Sequence, residues 1–202
     1  VQRGLLDAMR PEPFQGGEWI SLRQLFVFSK SGMKSGDDAI FTNIARPLLR
    51  DTVGPVLGER PYDVALETYY SYRPFDRRWF YNDLPLLDRP GPQMQQVWGA
   101  ANTGLYALPS GTGAGPAVWC HGLLPDYHAF RGSYGGYTFP LYDRRPDVNS
   151  ANLNPVLIAG LSAAYGLDVR AEYGFDASLC LLSAPSYSRL FAGDLEDTFP
   201  HV

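Results

Sequence analysis

Thirteen residues, Ser71 to Asp83, hold five aromatic side chains and three arginines around a single proline. Pro74 fixes its own φ and biases Arg73 away from the helical region, so the first half is an extended turn. Arg77 to Tyr81 is aromatic-rich and suits a half-buried strand. Alternation along a strand puts Trp79 and Tyr81 on one face, Arg78 and Phe80 on the other. An aromatic platform edged with arginine is a device for holding nucleic acid. The same residues also make an amphipathic strand whose arginines pair with Asp76, Asp83 and Asp88, and chemistry alone favours that plainer reading.

The rest of the chain is heavily punctuated. Seventeen prolines and 21 glycines in 202 residues call for many turns, while 45% hydrophobic content is that of a globular core. The pattern predicts an α+β fold: a mixed β-sheet core with flanking helices and a helical C-terminal part. Residues 1–142 are expected to form the α+β core and 143–202 a helical support segment, together one continuous unit. No apolar run approaches the ~18 residues of a membrane helix. The N-terminus lacks the basic start and apolar run of a signal peptide, and a cytoplasmic location is expected. Neither end looks natural, since the chain has no initiator Met and stops at Val202; it reads as a piece of a longer protein.

Cys120 and Cys180 do not combine with His121, His128 and His201 into any zinc spacing, and both cysteines read as reduced and buried. The net charge of −4 does not announce nucleic-acid binding. Its distribution is more telling: residues 1–90 are balanced, and residues 91–202 carry the whole excess of acid. Lys30 and Lys34 are the only lysines; the other 15 basic residues are arginine. Arginine suits bidentate contacts to guanine and phosphate, although a GC-rich genome enriches it equally well.

In chain order, residues 5–17 read as a short helix and a loop. Trp19 to Phe28 reads as a helical turn entering a buried strand. Ser29 to Ala39 is a Gly/Ser/Lys loop with amides free to meet an anion. It lacks the Gly-x-x-x-x-Gly-Lys-Ser/Thr spacing of a nucleotide-hydrolysing loop. Lys30 or Lys34 could touch a DNA backbone, or the loop could be a solvated turn with Asp37 or Asp38 capping a helix. Phe41 to Leu57 is an amphipathic helix with Pro47 in its first turn and Gly58 after its end. Gln93 to Ala101 is a helix; Leu105 to Pro109 and Ala117 to Leu124 are strands. Asn154 to Leu167 is a helix with Pro155 at its start, and Phe175 to Asp194 is helical with a break at Pro185.

Tyr72-Arg73-Pro74-Phe75-Asp76-Arg77-Arg78-Trp79-Phe80-Tyr81 resembles the signature of the C-terminal specificity segment of type ISP restriction-modification enzymes and related adenine-specific DNA methylases. Other stretches agree in order. Ser31 to Asp37 resembles the family's Ser-Gly-Val-Lys-Thr stretch. Asp88 to Pro92 resembles its Arg-Pro-Arg loop with one basic residue replaced by Gly91. Leu124 to His128 resembles its strand and Asp-x-His, and Gly136 to Tyr142 its Phe-Pro-Leu-Tyr close. Ser183 to Phe191 departs from the family's Leu-His-Ser-Pro-x-Tyr-Arg at Ser183 and Ala184.

The resemblance implies a target-recognition domain that binds double-stranded DNA and presents an adenine to a methyltransferase domain upstream in a larger protein. That parent would use S-adenosylmethionine, ATP and Mg, and the partners of this piece would be DNA and the parent's methyltransferase and helicase-like domains. The candidate DNA contacts are Lys30, Lys34, Asn43, Arg73, Arg77, Arg78, His128, Arg131 and Tyr134. This piece reads as non-catalytic and cofactor-free. It has neither a glycine-rich S-adenosylmethionine loop nor the Asn/Asp-Pro-Pro-Tyr/Phe tetrapeptide that holds a flipped adenine. It has no Walker loop, nuclease triad or nucleophile elbow. The alternatives are a docking module between methylase and translocase parts, with Arg73 and Asp76 as a structural turn, and an enzyme built around His128 and Asp126.

Overall fold

The computed structural model describes residues 19–98, 101–113, 115–130 and 135–202. The helix expected over residues 5–17, and the candidates Arg131 and Tyr134, lie outside them. The architecture is α+β, with antiparallel sheets and flanking helices.

The hairpin of the Arg/aromatic segment is the centre of a three-stranded sheet. Strands β3 (Glu67–Arg73) and β4 (Asp76–Tyr81) pair directly, and β2 (Thr42–Asn43) adds to the far side of β4. Alternation places Tyr70 and Phe80 in the core, with ring centroids 5.1 Å apart. Trp79 faces outward, stacked 3.8 Å from Tyr69 and capped by the Arg46 guanidinium at 3.9 Å. Tyr81 shares that face, as alternation requires, since it pairs with Glu67, two residues from Tyr69 on the same strand. At the end of the strand it is buried against Tyr62.

Helix Arg46–Leu57 packs on this sheet through Leu49, Val53 and Leu57. Each such burial stabilises the fold by about 2 kcal/mol. The helix starts later than its apolar spacing suggested. Asp37 caps a separate turn, Asp38–Phe41, by accepting from the amides of Ala39 and Ile40, and Thr42–Asn43 is drawn into the sheet.

The second sheet has four strands. Lys30–Ser31 (β1) pairs with Tyr137–Pro140 (β7), which pairs with Gly104–Ala107 (β5), which pairs with Trp119–His121 (β6). The expected strand ending at Phe28 is absent: Phe26 makes only an isolated bridge to Leu153, and strand pairing begins at Lys30. Tyr142–Asp143 and Ser150–Ala151 form a small separate ladder.

This sheet shares its core with the C-terminal helices. Phe26, Phe139, Phe175, Tyr187, Phe191 and Phe199 pack together there. Helix Pro155–Tyr165 is capped by Asn154 and closed by Gly166 at φ 64°. Helices Ala171–Ser183, Pro185–Leu190 and Ala192–Asp197 follow. Of the two cysteines, Cys120 is half-buried and Cys180 exposed. Cys180 lies off the Phe175, Ser178 and Leu182 stripe that turns its helix inward. No described helix is long and apolar enough to cross a membrane.

One loop stitches the two sheets. Leu124 and Asp126 exchange backbone hydrogen bonds with Ser71 on the hairpin edge, both at 2.9 Å. On the other side the Met33 amide donates to Pro125, and the Tyr127 amide to Met33. The approach is close enough that a Cβ on Gly32 would sit 2.5 Å from the Asp126 carbonyl oxygen.

Candidate functional site

The stitch brings together residues drawn from three distant stretches. Asp126 is buried at its centre. Its Oδ1 accepts from Arg73 Nη1 at 2.8 Å and from the His128 amide at 2.8 Å. Burial pushes the Asp126 carboxyl up to about 6, opposed by the His128 amide and by Arg73. The His128 imidazole is held below its ordinary value, by burial first and then by the positive charges of Lys34 and Arg73.

The hairpin contributes a layered group. Tyr72 is sandwiched between two guanidiniums, Arg73 at 3.7 Å and Arg78 at 3.8 Å from its ring centroid. Arg78 also forks onto Asp76, with Nη2 2.9 Å and Nε 3.1 Å from Oδ2. Burial, then the Asp38 carboxylate, raises the Tyr72 hydroxyl above its usual value. Beside this group lies an open cleft of about 550 Å³, lined by Asp38, Asn43, Ile44, Tyr72 and Arg78 among others. Asn43 uses its Oδ1 on the Ile44 amide at 2.8 Å, which leaves its Nδ2 as a donor toward solvent.

Lys34 reaches Asp88 at 2.5 Å, and its backbone pairs with Arg89. The Arg89 guanidinium lies over the Tyr127 ring at 5.0 Å. Among the described residues, Lys30 and Arg77 have no ion-pair partner; both are exposed. Lys30 sits on the edge strand opposite Thr138, and Arg77 on the hairpin opposite Ser71.

The structure therefore gathers Lys34, Asn43, Arg73, Arg78 and His128 around Asp38 and Asp126. Of Lys30, Lys34, Arg73, Arg77 and Arg78, three are paired with carboxylates and two have no ion pair among the described residues. Of the pairs expected for the hairpin arginines, only Arg78–Asp76 forms; Asp83 is taken by Arg60 and Asp88 by Lys34. Tyr72, Asp38 and Phe75 were not singled out as site residues. Tyr72 and Phe75 were visible only as members of the Arg/aromatic segment, and Asp38 only as a capping candidate. No group of His, Cys, Asp and Glu among the described residues is placed to hold a metal ion.

A family model, the Type ISP C-terminal specificity domain, matches residues 26–202. No curated protein matches the chain. Among solved structures, a cryoEM structure of a DrdV–DNA complex aligns with a TM-score of 0.73 at 18% identity, over 87% of this chain and 21% of that one. The ATP-dependent Type ISP restriction-modification enzyme LlaBIII bound to DNA aligns at 0.72 and 20% identity, over 96% of this chain and 16% of that one. A nuclease-deletion mutant of the Type ISP enzyme LlaGI, in complex with a DNA substrate mimic, aligns at 0.67 and 14%, over 97% of this chain and 21% of that one. At these identities the likeness is one of fold, and this chain spans about a fifth or less of those chains' lengths. The length of the family match, together with the fold, decides the assignment: the chain belongs to the Type ISP C-terminal specificity domain family.

Proposed function

We propose that this chain is a DNA sequence-recognition domain that grips duplex DNA and holds a target adenine for a methyltransferase domain elsewhere in a larger protein. The observation that carries the reading is the division of the cations. An exposed arginine with no ion pair among the described residues, as at Arg77, keeps its rotamer freedom and its full charge in solvent, and it is available to a phosphate. Arg73 and Arg78 are spent internally, on Asp126 and Asp76, and on the two faces of Tyr72. They set the shape of the hairpin. Asn43 Nδ2, on the cleft wall, has the chemistry to meet a base edge. S-adenosylmethionine, ATP and Mg belong, in this proposal, to the rest of the parent.

Fluorescence anisotropy with a mixed-sequence duplex, across a salt series, tests the reading. Binding should weaken steeply with salt. Arg77→Ala should make the slope of log affinity against log salt shallower by about 0.9, one phosphate contact. A folded chain whose affinity for duplex DNA does not depend on salt would sink the proposal.

A docking reading is favoured by a different surface. Val156, Leu161, Tyr165 and Leu181 are exposed on the C-terminal helices, and Leu167 is exposed just past the end of the first. That apolar face suits contact with another part of the same protein. It lies on elements other than the hairpin, so the two readings are compatible.

A further inference from the structure

We propose that Phe75, at the tip of the hairpin, stacks on the face of a nucleobase where the DNA duplex opens. The inference rests on the DNA-recognition reading and adds to it the residue that meets a base.

Arg73 pairs with Asp76 across the hairpin, which leaves Pro74 and Phe75 as a two-residue turn. Phe75 has φ 66°. A proline followed by a residue at positive φ is the order of a type II turn, whose second position favours glycine because a Cβ there crowds the backbone. Phenylalanine at that place is strained. Its ring is 100% exposed and packs on nothing. The fold thus holds a large apolar ring in water on a strained backbone, with no internal contact to offset either cost.

The surroundings point to the kind of partner. An apolar anchor for a protein partner sits in a patch depleted of charge at its centre. Phe75 instead is flanked in sequence by Arg73, Arg77 and Arg78, of which Arg73 and Arg78 are paired with Asp126 and Asp76. Arg77 is exposed and without an ion pair among the described residues. Guanidinium beside an aromatic face is the pairing that meets a phosphate and its base together. Aromatic wedges of this kind enter between base steps, and aromatic platforms also receive bases that have left the stack.

Two variants of the full chain test this. Glycine adopts φ 66° freely, so Phe75→Gly keeps the turn and should not lower the thermal midpoint. Its affinity for a mixed-sequence duplex carrying one unpaired nucleotide should fall about tenfold, with the salt slope unchanged, because stacking releases no counterion. Phe75→Trp should bind like the wild type, and its added emission should be quenched by DNA. Quenching by a fully paired duplex places the ring between paired steps. Quenching only by a duplex with one unpaired nucleotide places it on an extruded base. Quenching by neither overturns the proposal. Wild-type affinity in Phe75→Gly also overturns it while leaving DNA recognition standing. Normal DNA affinity in Phe75→Gly with impaired assembly of the full protein would make the tip a protein contact and overturn it too. Absence of DNA binding by the wild type removes both readings at once.

Discussion

Nη1 of Arg73 lies 2.8 Å from Oδ1 of Asp126, across 53 residues of sequence, and the contact joins the hairpin to the loop that stitches the two sheets. The arginine side chain is 32% exposed and the aspartate 4%. The buried partner therefore depends on the exposed one. Arg73→Ala should cost about 1–3 kcal/mol at pH 7.5, because Asp126 is left buried with only the His128 amide. Asp126→Asn removes the stranded charge, so the double variant should recover more than half of that loss. Urea unfolding of the four chains measures the coupling, and simple additivity would show that the pair is not coupled.

Two buried groups should pull the wild-type stability in opposite directions in mild acid. Asp126, raised from 3.8 to about 6, takes up its proton in the folded state first, so stability rises as pH falls through 6. His121 does the reverse. Burial lowers it from 6.5 to about 4, and its neutral ring is held between the Leu123 carbonyl and the Thr138 hydroxyl. The unfolded chain protonates it first, and stability is lost as pH falls through 6.5. Between neutrality and pH 5 the first contributes roughly +1 kcal/mol and the second roughly −2. Denaturation midpoints at pH 7.5 and 5 should therefore diverge in the variants. Asp126→Asn should lose stability on acidification, and His121→Leu, though weaker at pH 7.5, should gain it.

Gly32→Ala and Gly160→Ala should move stability in opposite directions. The first drives a Cβ into the Asp126 backbone, which cannot retreat without breaking the stitch; a loss of about 3 kcal/mol is expected. The second adds a methyl in open space within helix Pro155–Tyr165 and should stabilise by about 0.5–1 kcal/mol. Thermal midpoints of the two variants suffice as the measurement.

Asn152 is a further point of failure. Its buried amide accepts from Phe28 N at 2.7 Å and donates to Phe28 O at 2.8 Å and Pro140 O at 2.7 Å. Asn152→Ala strands three backbone groups and should cost about 3 kcal/mol. A loss under 1 kcal/mol in urea unfolding would show that water replaces all three bonds.

What the sequence by itself determined was local. Pro74 and the aromatic run read as turn and strand, and these became the β3–β4 hairpin. The Leu49, Val53 and Leu57 spacing read as a helix face, and Asn154, Pro155 and Gly166 marked a helix's two ends. Family membership was legible because the family's motifs are runs of adjacent residues. Only the tertiary structure decided which charges meet. Arg73 and Asp126, Lys34 and Asp88, Asn152 and Phe28 are far apart in sequence and are brought together by separate backbone pairings, of Ser71 with Leu124 and Asp126, of Lys34 with Arg89, and of Val27 with Asn152. Periodicity and capping act within a turn or two of the chain and leave a record in it. A contact across 50 or more residues is selected by the packing of whole elements, so a single sequence carries no trace of which arginine is spent and which is left free.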